Sequence, residues 1–268
     1  MQKVPRISAS SYANTAPLVW SFLYGANRGR FELIMDNAPA RSAELLAQKR
    51  VDAALVPVIE YQRIAGVLLV PDVCVGAREK ARSVCLVTKG EDLRNVKSAA
   101  LDISSRTSGA LTKIIFQEFY GFQPSYKEAK PNLAEMLQDS DCALLIGDPA
   151  LAVDEKIYRK FDLAEIWKEF TDFGFVFAMW MTHSEKAQIS REIDFAAARD
   201  EGLLRLNEIV ANYETEIYLP KEDFKEYLSK NISYKIDDSM RKGLELYFRL
   251  AYKHELVESL KPPRFIDD

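Results

Sequence analysis

The chain has 268 residues and a net charge of −4, from 36 basic and 40 acidic residues mixed along its length. That length is ample for a hydrophobic core and predicts one large domain or two lobes; 48% apolar and 28% charged residues fit an ordinary soluble globular protein. The small acidic excess gives no reason to expect nucleic acid or an anionic membrane as partner, and no apolar run is long enough to span a bilayer. Three cysteines without C-x-x-C spacing, Cys74, Cys85 and Cys142, argue against a disulfide framework or a zinc site. The opening "MQKVPRISASSY" lacks the apolar stretch of a signal peptide, so a cytoplasmic location is expected.

In chain order, "VPRISASSY" reads as a strand, followed by a helix from about Thr15 to Gly25 with Pro17 in its first turn. "FELIMDNA" is a second strand, and "SAELLAQKR" a short helix with Ser42 as its N-cap. "VDAALVPVIEY" has the continuous apolar run of a strand buried on both faces. A second series follows. "RSVCLVTKG" and "VKSAALDISS" read as strands, "GALTKIIFQEFYG" as a helix, and "NLAEMLQD" as a helix capped by Asn132 with Glu135. "CALLIGDPAL" is a buried strand running into a turn, and "FGFVFAMWMTHS" is another strand. The remainder is mostly helical, with Met240, Leu244, Tyr247, Phe248 and Ala251 on one face, and the tail "KPPRFIDD" cannot continue a helix.

Strands alternating with helices predict an α/β protein with parallel sheets. Two such series predict two lobes with a ligand cleft between them. Lobe one is expected over 1–86 plus 174–268, and lobe two over 87–173.

Three polar turns follow strands, the place where open α/β sheets bind ligands. The first runs from Ser10 through Tyr12 and Asn14 to Thr15. The second is Ser104-Ser105-Arg106-Thr107-Ser108-Gly109, and the third is Gly147-Asp148-Pro149. In the second, hydroxyls and N–H groups at a helix N-terminus suit an anion, and Arg106 offers a bidentate contact to a carboxylate. A serine-rich loop in which Thr107 or Ser108 simply caps the helix fits equally well. Asp148 before Pro149 is an ordinary cap and first-turn pair, and the Asn14 amide either caps a helix or points at a ligand. His183 and His254 lie outside these turns and read as surface or helix residues; the cysteines and Trp20, Trp167 and Trp180 read as structural. There is no P-loop, G-x-G-x-x-G, G-x-S-x-G or H-E-x-x-H pattern, which leaves amides, hydroxyls, carboxylates and backbone dipoles for any chemistry.

The segments "YANTAPL", "VDAALVPVIEY", Ser83-Val84 in "ARSVCLV", "ALDISSRTSGALTKII", "LLIGDPAL" and "FVFAMW", in this order, resemble the chorismate dehydratases of the futalosine route to menaquinone. Ala13 departs from the leucine frequent in that family, a matter of packing. The resemblance implies the two-lobed fold of type II periplasmic binding proteins. It implies cofactor-free dehydration of chorismate, a small dicarboxylate, to 3-[(1-carboxyvinyl)oxy]benzoate, with the substrate's enolpyruvyl carboxylate as base. Carried over residue by residue, it implies Asn14 and Ser83 as catalytic residues, Thr107 and Ser108 as the carboxylate-binding turn, and Asp148 as partner of a substrate hydroxyl. Ser10, Tyr12, Ser105 and Arg106 would line the site, Arg106 alternatively serving a structural ion pair. The alternatives are the sister enzyme that makes 1,4-dihydroxy-6-naphthoate, and a non-catalytic solute-binding protein of the same fold.

Overall fold

The computed structural model describes residues 4–217 and 219–267. Its ten strands form two five-stranded sheets. The first contains β1 (Arg6–Ser10), β2 (Glu32–Asp36), β3 (Ala53–Pro57) and β4 (Val67–Ala77). The second contains β5 (Val84–Thr88), β6 (Ser98–Asp102), β7 (Ser125–Ala129), β8 (Cys142–Ile146) and β9 (Arg159–Asp162), and β10 (Phe175–His183) returns to the first. The orders are β2-β1-β3-β10-β4 and β7-β6-β8-β5-β9. In each sheet three neighbouring strands run parallel, and the fourth, β10 or β5, runs antiparallel to both its partners. β3, β5 and β8 are buried at every residue, as their continuous apolar runs predict.

The chain leaves the first sheet after Ala77 and returns to it at Phe175. Residues 84–86 therefore pair in the second sheet, a few residues before the boundary expected at 86. The apolar run from Val84 has no break at 86, so composition carries no mark of the crossing. The first crossing is pinned by Arg82, whose two terminal nitrogens donate to the two Asp223 carboxylate oxygens at 2.8 and 2.9 Å.

The helical face Met240, Leu244, Tyr247, Phe248, Ala251 is buried, on a helix spanning Asp238–Lys253 and capped by the Asp237 side chain. Each such large apolar side chain contributes about 1.5–3 kcal/mol on burial. The helix Ala16–Leu23 packs on Phe195–Leu204 so closely that a Cβ on Gly202 would lie 1.9 Å from the Pro17 carbonyl oxygen. After its last helix the chain runs back along the first lobe. Tyr61 donates to Pro262 O, and Leu69 N–H donates to Arg264 O. Ile266 N–H donates back to Leu69 O, so the tail forms a bridge on the outer edge of β4.

Several sequence expectations change. Ser42 is not a cap: the helix begins three residues earlier at Pro39, and the buried Ser42 hydroxyl bonds Ser8 Oγ at 2.9 Å. The strand expected over 51–61 stops at Pro57, and Glu60–Arg63 turn helical. The helix expected from Gly109 starts at Arg106, and its last turn, Ile115–Phe119, is π-helical. β4, β7 and β9 escape the pattern. β4 is broken by Pro71 and by Asp72 at φ 59°, with the register shifts of a bulge, while β7 and β9 carry charged, partly exposed residues. His183 is buried, its Nε2 2.8 Å from Leu46 O, and His254 Nε2 lies 2.6 Å from Glu118 Oε1.

Candidate functional site

The carboxyl ends of β1, β3, β6 and β8 face one cleft between the sheets. A small cavity of about 60 Å³ lies there. Seven of the nine expected site residues line it: Ser10, Tyr12, Asn14, Ser105, Arg106, Thr107 and Ser108. Its apolar floor comes from Leu55, Val75, Val84, Ile146 and Phe177, which sequence reading treated only as core. This combination suits a flat carbon skeleton carrying anionic substituents.

Ser83 and Asp148 stand apart from the lining. Ser83 is fully buried, because it stands just before β5 at the junction of the lobes and Tyr227 covers it; the Tyr227 hydroxyl donates to Ser83 Oγ at 2.8 Å. Asp148 does not cap its own helix. That short helix, Gly147–Leu151, is entered from Ile146 without a side-chain cap. The Asp148 carboxylate instead accepts the Ala13 N–H at 3.1 Å, tying the second lobe to the first polar turn. Burial raises its pKa to about 6, the Ala13 N–H lowers it in part, and Glu216 raises it further.

The first turn is self-bonded. Thr15 Oγ1 donates to Ser10 O at 2.6 Å and to Tyr12 O at 2.8 Å, closing a single 3-10 turn, Ala13–Thr15, ahead of the helix. Asn14 caps nothing. It sits in that turn, 8% exposed, with its side chain at the cavity. The Tyr12 ring lies over Gly147, whose φ is +62° and where an added Cβ would come within 2.8 Å of that ring, so both exclude a larger residue.

The second turn is shaped by Asp102, whose Oδ1 accepts both Ser104 N–H (2.8 Å) and Ser104 Oγ (2.7 Å). Burial raises the Asp102 pKa and the Ser104 bonds lower it. Thr107 and Ser108 are not caps; they lie in the first turn of the helix Arg106–Ile114, after Ser105, and no side chain caps that helix. Its leading N–H groups have no intrahelical partner and, with the helix dipole, favour an anion. Thr107 Oγ1 accepts Ile59 N–H from the first lobe at 3.3 Å. Tyr247 donates to Thr107 O at 3.0 Å, and both bonds span the cleft. Among the described residues, the hydroxyls of Ser10, Ser105 and Ser108 make no hydrogen bond to protein, which leaves three donors for a ligand.

Arg106 lines the cavity, but its guanidinium is engaged by Glu60 at 3.0 Å and Glu44 at 3.5 Å. Glu60 also pairs with Arg63, so the cluster joins the second turn to the first lobe. The cysteines are far from thiolate chemistry: burial pushes Cys74 and Cys142 up to about 12, and Cys85 upward as well. Sequence reading missed Tyr227, Glu60 and Tyr213, whose hydroxyl donates to Ser11 O at 3.3 Å. Their spacing is that of core or surface helix residues, and only the fold brings them beneath the turns.

A family model described as menaquinone biosynthesis matches residues 5–253. Chorismate dehydratase of Thermus thermophilus is 29% identical over 255 residues, covering 88% of this chain and 91% of that protein. Among solved structures, a Candida albicans protein described as having the generic periplasmic binding protein fold aligns with TM-score 0.69 and 12% identity, over 97% of this chain and 92% of that one. The periplasmic aliphatic sulphonate binding protein of Escherichia coli aligns with TM-score 0.65 and 15% identity, over 97% and 93%. The fold is thus that of the periplasmic binding proteins, two α/β lobes about a cleft. With the family match running through all three polar turns and both crossings, this chain belongs to the menaquinone-biosynthesis family.

Proposed function

We propose that the protein is a chorismate dehydratase, a cytoplasmic carbon–oxygen lyase that converts chorismate to 3-[(1-carboxyvinyl)oxy]benzoate and water. The observation that carries this reading is the pairing at one cavity of the Asn14 amide with the uncapped helix N-terminus and free hydroxyls of Ser105 and Ser108. The relative named chorismate dehydratase adds weight.

The chemistry needs no histidine. The C3 proton of chorismate is vinylogous to the ring carboxylate, so charge released at C3 spreads onto that group. Ser105, Ser108 and the leading N–H groups of their helix hold the carboxylate and stabilise this charge. The enolpyruvyl carboxylate of the substrate takes the proton. The C4 hydroxyl departs with Asn14 orienting it, receives the proton held by the enolpyruvyl carboxylate so that it leaves as water, and the ring becomes aromatic. Catalysis then rests on orientation and on preorganised dipoles. In this mechanism Ser10 and Tyr12 line the site, and Arg106 and Asp148 hold the lobes in register through Glu60 and the Ala13 N–H. Ser83 acts from behind the wall.

Incubation of the purified protein with chorismate, followed by absorbance and mass of the aromatic product, tests the reading. Formation of the enolpyruvyl benzoate supports it; chorismate left unchanged under conditions where the Thermus enzyme turns it over refutes it.

A further inference from the structure

Arg106 stands in the cavity wall between Ser105 and Thr107, and among the described residues it is the only lysine or arginine there. Its charge is already paired. Arg106 Nη1 donates to Glu60 Oε2 at 3.0 Å. Arg63 Nη1 donates to the other oxygen of that carboxylate, Oε1, also at 3.0 Å. Glu60 is 3% exposed, and burying a carboxylate costs stability unless it is paired in this way. Glu44 stands 3.5 Å from the same guanidinium, but it is partly exposed and its other oxygen lies 2.8 Å from Arg41. Glu60 therefore holds Arg106 more firmly. Its neighbour fixes it in place: Ile59 N–H donates to Thr107 Oγ1 at 3.3 Å, so residues 59 and 60 of one lobe grip 107 and 106 of the other. A site for a dicarboxylate has every reason to leave a guanidinium free, since its planar fork binds a carboxylate through two parallel bonds. This one is masked, while the hydroxyls of Ser105 and Ser108 beside it are open.

We propose that Glu60 is a positioning residue of the site, holding the Arg106 guanidinium in an ion pair so that the one cation of the cavity wall stays off the substrate carboxylate that serves as base.

The chemical reason lies in what a guanidinium does to a base. A carboxylate that must take the C3 proton loses its negative charge as the proton arrives. A cation bound to it would hold the charged form and lower its basicity. Such a contact is stronger in the bound substrate than in the transition state, so it would tighten binding and slow the reaction. The ring carboxylate has the opposite need, because charge grows on it as the proton leaves. Neutral hydroxyls and N–H groups at a helix end serve that carboxylate without neutralising the other. Masking Arg106 lets one small cavity hold two carboxylates with different tasks.

The proposal rests on the dehydratase reading for its kinetic arm, and a binding arm is independent of turnover. The test uses the full chain with Glu60→Gln and with Glu60→Gln combined with Arg106→Gln. Glutamine keeps the shape of Glu60 and removes the charge that holds Arg106; the exposed Glu44 pair left behind is weak. With chorismate, Glu60→Gln is expected to lower kcat about 10-fold or more and to lower KM about fivefold, the split expected of substrate bound too well. The double variant should regain most of the lost kcat, because the unmasked cation is gone. A purely structural ion pair predicts instead a raised or unchanged KM and no recovery in the double variant, and either result overturns the proposal. In calorimetry with benzene-1,3-dicarboxylate, a flat dicarboxylate that cannot react, Glu60→Gln should bind about fivefold tighter than the wild type, and the double variant should not. If the wild type leaves chorismate unchanged, the dehydratase reading falls and calorimetry decides alone: an affinity that Glu60→Gln does not raise overturns the masking role. If Glu60→Gln does not fold, Glu60→Asp, whose shorter side chain loosens the same pair, faces the same split, the same rescue and the same binding test.

Discussion

In the turn after β1, Thr15 closes its own backbone through two hydrogen bonds, and Asn14 presents its amide at the cavity. In the turn after β6, Ser104, Arg106 and Thr107 are committed, while Ser105 and Ser108 leave their hydroxyls open at an uncapped helix end. Both turns follow a parallel strand and open a helix, so topology alone does not separate them. What separates them is the polar group each leaves at the cavity, a single amide in one and hydroxyls with an uncapped helix end in the other. A wall that presents one amide suits a reacting bond. A wall that presents several interchangeable N–H and O–H donors suits a carboxylate, whose lone pairs accept from many directions.

The largest effect that would break this contrast is at Asn14. Asn14→Ala is expected to lower kcat about 100- to 1000-fold, the usual cost of losing one preorganised polar group at a developing charge. Circular dichroism should be unchanged, since Asn14 caps no helix. Gly147→Ala comes next. At φ +62° and 2.8 Å from the Tyr12 ring, the added methyl is expected to destabilise the protein by roughly 2–4 kcal/mol in a denaturant titration.

Asp148 sharpens the comparison from the side of electrostatics. Its carboxyl has a pKa raised from 3.8 to about 6 in the folded chain, with burial as the main cause. As pH rises between these values the unfolded chain gives up this proton first. The folded state therefore loses stability on this account up to about pH 6, and none of the loss is present below 3.8. Asp148→Asn keeps an oxygen for the Ala13 N–H and removes the buried charge. It is expected to be more stable than the wild type by about 1–3 kcal/mol at pH 7, with the gap closing by pH 4 in parallel melts. The smallest effect belongs to the carboxylate wall. Ser108→Ala removes one donor among several and should lower kcat/KM for chorismate about fivefold, near 1 kcal/mol. A fall in kcat larger than that of Asn14→Ala would invert the assignment of the two walls.

The contrast between the turns also explains what the sequence makes legible. The three polar turns, the buried strands β3, β5 and β8, and the apolar face of the helix Asp238–Lys253 are local patterns, and each is where periodicity and turn chemistry put it. The roles of Ser42, Ser83, Arg106 and Asp148 depend on partners 34 to 144 residues away in Ser8, Tyr227, Glu60 and Ala13, and no local pattern carries such a pairing. Asp148-Pro149 has the residues of a cap, yet its carboxylate is drawn across the cleft because the Ala13 N–H has no partner of its own in the 3-10 turn. β4 was hidden for a different reason: a proline and a left-handed Asp72 interrupt its alternation, and only the sheet reveals one continuous strand.

The tail after Lys261 has a consequence for the protein in a crowded solution. β4 is eleven residues long, mostly buried, and lies at the end of its sheet. A long apolar strand with an open edge is a template on which other chains add as further strands. Ile266 N–H and Arg264 O occupy both bonding groups of Leu69 on that edge, and the Pro262 and Pro263 rings lie just before it, unable to donate to a neighbour. The last residues of the fold thus work as a selvedge, keeping a sheet built for a cleft from being extended by its copies.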